Sequence, residues 1–467
     1  MADTSERSNI HVLLLPYPSQ GHINPILQFG KRLAAHRGVR CTLAATRFVL
    51  SNSQQPCPGD AVRIVAISDG CDRGGRAEAG EAAAYLSRLE SAGSETVDQL
   101  LRSEAEQGRP VHAVVYDSFM LWAPRVARRH GASCAAFFTQ ACAVNVAYSH
   151  ARAGRVELPV AAGGEGKALP ELPGLPAGLE PADFPTFLTE PDGGCRAYLD
   201  LLLQQCQGFE VADHILVNSF YELETKEAEY MASRWGAKTV GPSVPSAYLD
   251  NRLPDDVSYG FHLLAPMREE SKAWLDERPA RSVVYVSFGS LAAPSSAQMA
   301  EVAEGLCSSG KDFLWVVRAS ETPKIPGGFA DKARGRGLVV TWCPQLEVLA
   351  HPAVGCFVTH CGWNSTMEAL GIGVPMIAMP QWSDQPTNAK YIEDVWRVGV
   401  KLRPDDAGCL VRKDEVERCI RLVMEGETSK EYRENAMGWS EKAKKAMSEG
   451  GSSDNNIMEF LSKIRLK

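Results

Sequence analysis

Short runs of apolar residues alternate along the chain with stretches in which apolar residues recur every three or four positions. In the first half the runs are His11–Tyr17, Cys41–Phe48, Arg63–Ile67, His112–Tyr116, Cys134–Phe138 and Ile215–Asn218. Ile26–Leu33, Ala83–Leu101 and Met120–Arg129 carry the helical period between them. The second half repeats the alternation. Its runs are Ser282–Phe288, Phe313–Val317, Leu338–Thr341, Cys356–Thr359, Met376–Met379 and Val398–Leu402, and its helical segments include Ala297–Leu306, Ser365–Leu370, Asp414–Glu425 and Glu431–Met447. A short apolar run bounded by turn formers reads as a strand covered on both faces, and strands alternating with helices build parallel sheets. The pattern predicts an α/β fold of two Rossmann-like, doubly wound domains facing a cleft.

Composition sets the expected boundaries. Residues 1–243 form the first domain and 271–450 the second; 244–270, with Pro245, Pro254 and Gly260, has the turn-rich composition of a linker. Residues 451–467 follow Gly450 as a terminal helix returning to the first domain, and 155–196, rich in Pro, Gly and Ala, read as a long loop region over a site. A chain of 467 residues suits two cores better than one.

The net charge of -8 argues against a nucleic-acid surface, which needs basic stripes. Thirteen cysteines include no Cys-x-x-Cys pair, so neither a disulfide framework nor a zinc set is indicated; reduced thiols in a cytoplasmic protein are expected. No stretch of about 18 apolar residues exists to span a membrane. The chain also lacks an Asp-x-Asp pair, so no metal is expected to bridge a diphosphate. The first strand is not followed by G-x-G-x-x-G, which disfavours a hydride-transfer enzyme.

The chemistry concentrates in two places. From Trp342 to Gln385 the chain carries His360, Gly362, Trp363, Asn364, Ser365 and Glu368, and ends on Trp382, Asp384 and Gln385. The strand before His360 turns at Gly362 into a helix starting near Asn364 or Ser365, whose free N–H groups and positive dipole end suit a phosphate. Ser365 and Glu368 also read as a capping box that simply starts the helix. Trp342 could stack on a nucleobase or pack in the core. Asp384 and Gln385 could bind sugar hydroxyls or cap a helix. The second place is His22, after the first strand, with Asp117, at the end of the fourth. Parallel neighbours would bring both to one carboxyl edge, where the carboxylate could orient the imidazole; a lone structural histidine is the alternative.

The run from Trp342 to Gln385 resembles the signature box of plant secondary-product glycosyltransferases, family 1 of the UDP-dependent glycosyltransferases. The resemblance extends over the chain through Pro18 to His22, Val115 to Asp117, Asn218 to Phe220 and Ser287 to Ser290. Ala66 to Gly70 and Leu216 to Phe220 look like the group of indole-acetate, salicylate and trichothecene glucosyltransferases. It implies a GT-B fold and UDP-glucose as co-substrate, with no cofactor. It also implies roles. Trp342 stacks on uracil, Gln345 and Glu368 meet the ribose, and His360, Asn364, Ser365 and Ser290 hold the pyrophosphate. Trp363 shapes the pocket, and Trp382, Asp384 and Gln385 face the sugar; Gln at that last position goes with glucose. Thr139 resembles a position that touches the sugar 6-hydroxyl. His22 is the implied general base and Asp117 its partner, in an inverting transfer to a hydroxyl or carboxyl of a small lipophilic acceptor. A monomer is expected. A non-catalytic nucleotide-sugar-binding protein is the alternative, and a glycosidase would instead need paired carboxylates.

Overall fold

The computed structural model describes residues 10–53, 61–161, 171–190, 195–261, 264–405, 408 and 410–465. Residues 1–9 of the expected first domain, 162–170 and 191–194 of the expected loop region, 262–263 of the expected linker and 466–467 of the terminal helix lie outside them.

Among the described residues thirteen strands form two sheets, and every pairing is parallel. The first holds β1 (Ile10–Leu15), β2 (Val39–Thr46), β3 (Val62–Ile67), β4 (Ala113–Asp117), β5 (Ser133–Phe138), β6 (His214–Val217) and β7 (Lys238–Thr239), in the order β3-β2-β1-β4-β5-β6-β7. The second holds β8 (Val283–Ser287), β9 (Asp312–Val316), β10 (Gly337–Val340), β11 (Val354–Thr359), β12 (Met376–Ala378) and β13 (Gly399–Lys401), in the order β10-β9-β8-β11-β12-β13. The central strands are buried along their whole length, because helices cover both faces. The two doubly wound, Rossmann-like sheets expected from the alternation are therefore present. Each reverses its strand order once, between β1 and β4 and between β8 and β11. Such switch points leave a crevice at the strands' carboxyl ends.

The chain divides into two compact units. The first takes the described residues up to Pro181, those from Phe187 to Phe261, and those from Lys445 on; the second takes Ala182–Thr186 and the stretch from Leu264 to Lys444. The turn-rich stretch after Val244 is packed on the first unit. Asp250 makes a buried ion pair with Arg32, and Asp256 accepts from Lys31 Nζ at 2.9 Å. The helix Ser452–Arg465 also belongs there. Ser453 Oγ donates to Gly241 O at 2.6 Å, Asn456 Nδ2 donates to Thr239 O at 2.9 Å, and the Phe460 ring lies 6.2 Å from Phe29 and 5.2 Å from His214.

Two features differ from the expected elements. The first helix spans Gln20–Ala34 rather than starting at Ile26. Pro25 lies inside it as the sixth residue, in the second turn, where it has no N–H to donate to the helical ladder. The helix Cys142–Arg152 was not among the expected elements; ten of its residues are buried, polar Asn145 and Ser149 among them, so it shows no solvent-facing stripe. Among the described residues no helix is long and apolar enough to cross a membrane.

Candidate active site

In the first unit the site grows out of the β1/β4 switch point. The chain leaves β1 through Pro16, Tyr17 and Pro18, and Ser19 O accepts the N–H groups of His22 and Ile23 at 3.0 and 2.9 Å. His22 is thus the third residue of the helix, in its first turn, rather than a residue at a strand end. Asp117 is the last residue of β4. Its Oδ1 accepts the N–H of Phe119 at 3.0 Å, which fixes the carboxylate plane, and Oδ2 lies 2.7 Å from His22 Nδ1. The carboxylate is fully buried, and the imidazole side chain is 19% exposed. A carboxylate can only accept, so Nδ1 carries the proton and Nε2 keeps its lone pair. Thr139, just beyond β5, places Oγ1 3.3 Å from the same Nδ1.

Aromatic residues that the motifs do not include surround His22. Its ring centroid lies 5.2 Å from Tyr17 and 4.9 Å from Phe119. Tyr17 OH meets Tyr198 OH at 2.7 Å, and Arg76 lies 5.0 Å over the Tyr198 ring. Burial holds the Tyr17 phenol well above its ordinary pKa, and Tyr198 adds to the shift. Only Tyr17 had a signal in the sequence, its place beside the Pro18–His22 motif.

In the second unit the β8/β11 switch point brings Gly289 against His360. A Cβ at Gly289 would stand 2.7 Å from His360 Cε1, and one at Gly362 would also strike the ring. Gly289 has φ +70° and Cys361, next to His360, φ 65°, so the imidazole is clasped between two tight turns. Burial lowers its pKa to about 4; a backbone hydrogen bond with Ser287 opposes this, and Arg318 adds to it. His360 is therefore neutral near pH 7. Arg318, absent from the motif, donates to Gly289 O at 3.2 Å and Ala292 O at 2.7 Å, bracing the loop that carries exposed Ser290.

The helix after β11 spans Trp363–Ile372, with Gly362 at the N-cap position. Ser365 is the third helical residue, so it does not act as the cap of a capping box. Instead Gln345 Nε2 donates to Ser365 Oγ at 2.9 Å and Glu368 Oε2 at 2.8 Å, while Tyr285 OH donates to Gln345 Oε1 at 3.1 Å. Trp363 is buried, 6.1 Å from Trp396. Asn364 and Trp342 are half-buried, and Trp342 lies just beyond β10. Asp384 holds the N-cap position of the helix Gln385–Lys390, but its side chain does not cap. Its Oδ2 accepts from Asn388 Nδ2 at 2.7 Å, and the same amide donates to Cys361 O at 2.9 Å, tying the turn Trp382–Gln385 to the His360 turn. Gln385 Oε1 accepts the N–H groups of Gln381 and Trp382 at 2.8 and 3.0 Å; Trp382 itself is 38% exposed.

The structure thus joins His22, Asp117 and Thr139 in one unit. In the other it joins Gln345 to Ser365 and Glu368, and sets His360 against the loop of Ser290. Asn388, Arg318 and Tyr285 hold these groups, and the motifs gave no signal for them.

Two parallel sheets of this kind, each with polar side chains at its switch point, define an α/β protein of the Rossmann-like class. Residues 258–446 match the family model described as UDP-glucoronosyl and UDP-glucosyl transferase. The chain is 52% identical over 456 residues to UDP-glucosyltransferase UGT13248 of Hordeum vulgare subsp. vulgare, an alignment covering 97% of this chain and 94% of the relative. The crystal structure of Os79 from O. sativa in complex with UDP is similar at a TM-score of 0.89 and 48% identity, covering 97% of this chain and 100% of that one. Os79 in complex with U2F and trichothecene matches at a TM-score of 0.87 and 47% identity, with the same coverage. The chain belongs to this family and is a UDP-glycosyltransferase.

Proposed function

We propose that the chain transfers glucose from UDP-glucose to a hydroxyl or carboxyl of a small lipophilic acceptor with inversion, acting as a cytosolic monomer. The first unit takes the acceptor and the second the nucleotide sugar. The observation that carries this reading is the 2.7 Å His22–Asp117 hydrogen bond, which leaves Nε2 as the acceptor of a proton. His22 Nε2 removes the proton of the acceptor hydroxyl. The oxygen bonds to the anomeric carbon, the bond from that carbon to the phosphate oxygen breaks, and UDP leaves with the electron pair. Asp117 stabilises the imidazolium that results. Thr139 shares Nδ1 with Asp117 and keeps the ring from turning.

On the leaving side, the first turn of the helix Trp363–Ile372 offers N–H groups and a positive dipole end to the diphosphate, with Asn364, Ser365, Ser290 and His360 beside it. Trp342 stacks on the uracil, Glu368 meets the ribose under the orientation imposed by Gln345, and Trp363 backs the pocket. Trp382, Asp384 and Gln385 face the glucose. In this reading the charge on the leaving group is met by the helix terminus and the side chains beside it.

The aromatic surround of His22 supports a flat or lipophilic acceptor. The Os79 complex makes trichothecenes the first compounds to test, beside phenols and carboxylic acids. The experiment is incubation of each with labelled UDP-glucose, with the anomeric configuration of the product read by NMR. A β-glucoside or β-glucose ester is expected; free glucose alone, or an α-linked product, would overturn the proposal.

A further inference from the structure

A piece of chain from far upstream holds the turn Trp382–Gln385. Residues Ala182–Thr186 pack with the second unit although they lie within the first half of the chain. Thr186 and Ser383 exchange two hydrogen bonds: Thr186 N donates to Ser383 O at 2.9 Å, and Ser383 N donates to Thr186 Oγ1 at 2.8 Å. Asp183 O accepts from Thr387 Oγ1 at 2.7 Å. The buried Asp183 carboxylate lies 3.3 Å from Lys390 Nζ and 3.6 Å from Lys401 Nζ. Thr387 and Lys390 belong to the helix that follows the turn, and Lys401 to β13. The segment therefore grips the turn at its centre and the adjoining helix and strand at three more points.

Ser383 has φ 62°, the left-handed region that a serine seldom occupies. Such a backbone persists where its surroundings over-determine it, and the two Thr186 bonds do so here. The neighbouring side chains have separate anchors: Asp384 on Asn388, and the Gln385 oxygen on Gln381 and Trp382. The backbone of Ser383 sets the direction from which these two side chains leave the turn.

We infer that Thr186 is a positioning residue for the donor sugar: by clamping Ser383 in its left-handed conformation it aims Asp384 and Gln385, and so sets which hexose of a UDP-sugar is accepted. This rests on the reading of Asp384 and Gln385 as sugar contacts. The clamp touches the sugar end directly and reaches the His360 turn only through Asn388, while the Gln345–Ser365–Glu368 group has bonds of its own. Its loss changes how the glucose is held more than how the UDP portion is held.

The test uses the full chain and two ligands, UDP and UDP-glucose, titrated by calorimetry. Thr186→Val keeps the branched shape and removes the hydroxyl acceptor. It is expected to weaken UDP-glucose roughly three- to tenfold while UDP stays within about twofold, the scale of one hydrogen bond. The kcat/KM preference for UDP-glucose over UDP-galactose falls in parallel. Adding Ser383→Gly, which takes a positive φ without a clamp, recovers part of the loss. Equal weakening of both ligands would mean that the clamp merely supports the unit, and no weakening would mean that it does nothing; either overturns the inference. Asp384→Asn separates the two levels. If it leaves the ratio of UDP-glucose to UDP affinity unchanged, the sugar-contact reading falls and this inference with it. If it lowers the ratio and Thr186→Val does not, the inference alone is lost.

Discussion

His22 Nδ1 stands 2.7 Å from Asp117 Oδ2, on a carboxylate whose other oxygen is already committed to the Phe119 N–H. The carboxylate cannot rotate away without breaking that second bond. The imidazole is therefore held in one tautomer, with the proton on Nδ1 and the lone pair on Nε2.

From this pair it follows that His22→Ala loses far more activity on alcohols than on carboxylic acids. An alcohol needs a base, worth roughly 100- to 10,000-fold. A carboxylic acid of pKa about 4 is already ionised near neutral pH and gains little. Asp117→Asn follows the same ranking with a smaller loss. Single-turnover rates at saturating UDP-glucose, with circular dichroism confirming the fold, check this; equal losses on both acceptor types would make His22 a positioning group.

In the proposed reading Gln385 offers its amide nitrogen to the sugar; its oxygen accepts the Gln381 and Trp382 N–H groups. Gln385→Ala is expected to lower kcat/KM for UDP-glucose by about tenfold or more, losing one bond to substrate and orphaning two donors of the turn. Wild-type enzyme is expected to prefer UDP-glucose to UDP-galactose. Initial rates on both donors decide it, and a galactose preference would refute the assignment.

Burial holds His360 at about 4, below its ordinary 6.5. The folded state thus binds fewer protons than the unfolded one between these values, so stability from this group is present above 6.5 and lost as pH falls toward 4. A diphosphate against the ring favours imidazolium and raises the pKa, so UDP binding takes up protons in mildly acidic solution and tightens as pH falls. Calorimetry at about pH 5.5 in buffers of different ionisation heat measures the uptake. His360→Gln lowers the uptake relative to the wild type, since the proton exchange of UDP's own phosphate is common to both, and an equal uptake by the two would place the diphosphate elsewhere.

Glu224 behaves in the opposite sense. Its buried carboxyl accepts the N–H groups of Cys142 and Ala143 at 3.0 and 2.9 Å and the Ser219 hydroxyl at 2.5 Å. Burial, with Glu227 nearby, nevertheless raises it to about 7 from 4.5. The folded state holds a proton that the unfolded state releases, so this contribution is present below 4.5 and lost as pH rises through about 7. The Tm advantage of wild type over Glu224→Gln is expected to shrink between about pH 5.5 and 8. A constant difference in thermal melts would show that Glu224 does not titrate there.

The strands were legible because a parallel sheet covered on both faces turns each strand into a continuous apolar run, as in β1, β4 and β8. The start of the Gln20–Ala34 helix was hidden by Gly21 and Pro25, which read as breakers although the helix runs through both. The box residues stood out by their resemblance to the family's signature box. What that resemblance could not show is which groups share bonds. Ser365 looked like a cap but serves Gln345, and Asn388 ties two turns that are far apart in sequence. The grip of Thr186 on Ser383 spans almost two hundred positions, and no local pattern marks it.

The helix Ser452–Arg465 has a consequence for synthesis. It covers Phe29 and His214 and bonds to Thr239 and Gly241, all in the first unit. A ribosome must make the whole second unit before that helix exists. With roughly 180 residues to add at about 5–20 per second, the early sheet waits some 10–40 s with part of its apolar surface uncovered. During that interval the nascent protein is a substrate for chaperones, and a stop codon just before Ser452 would leave it one permanently.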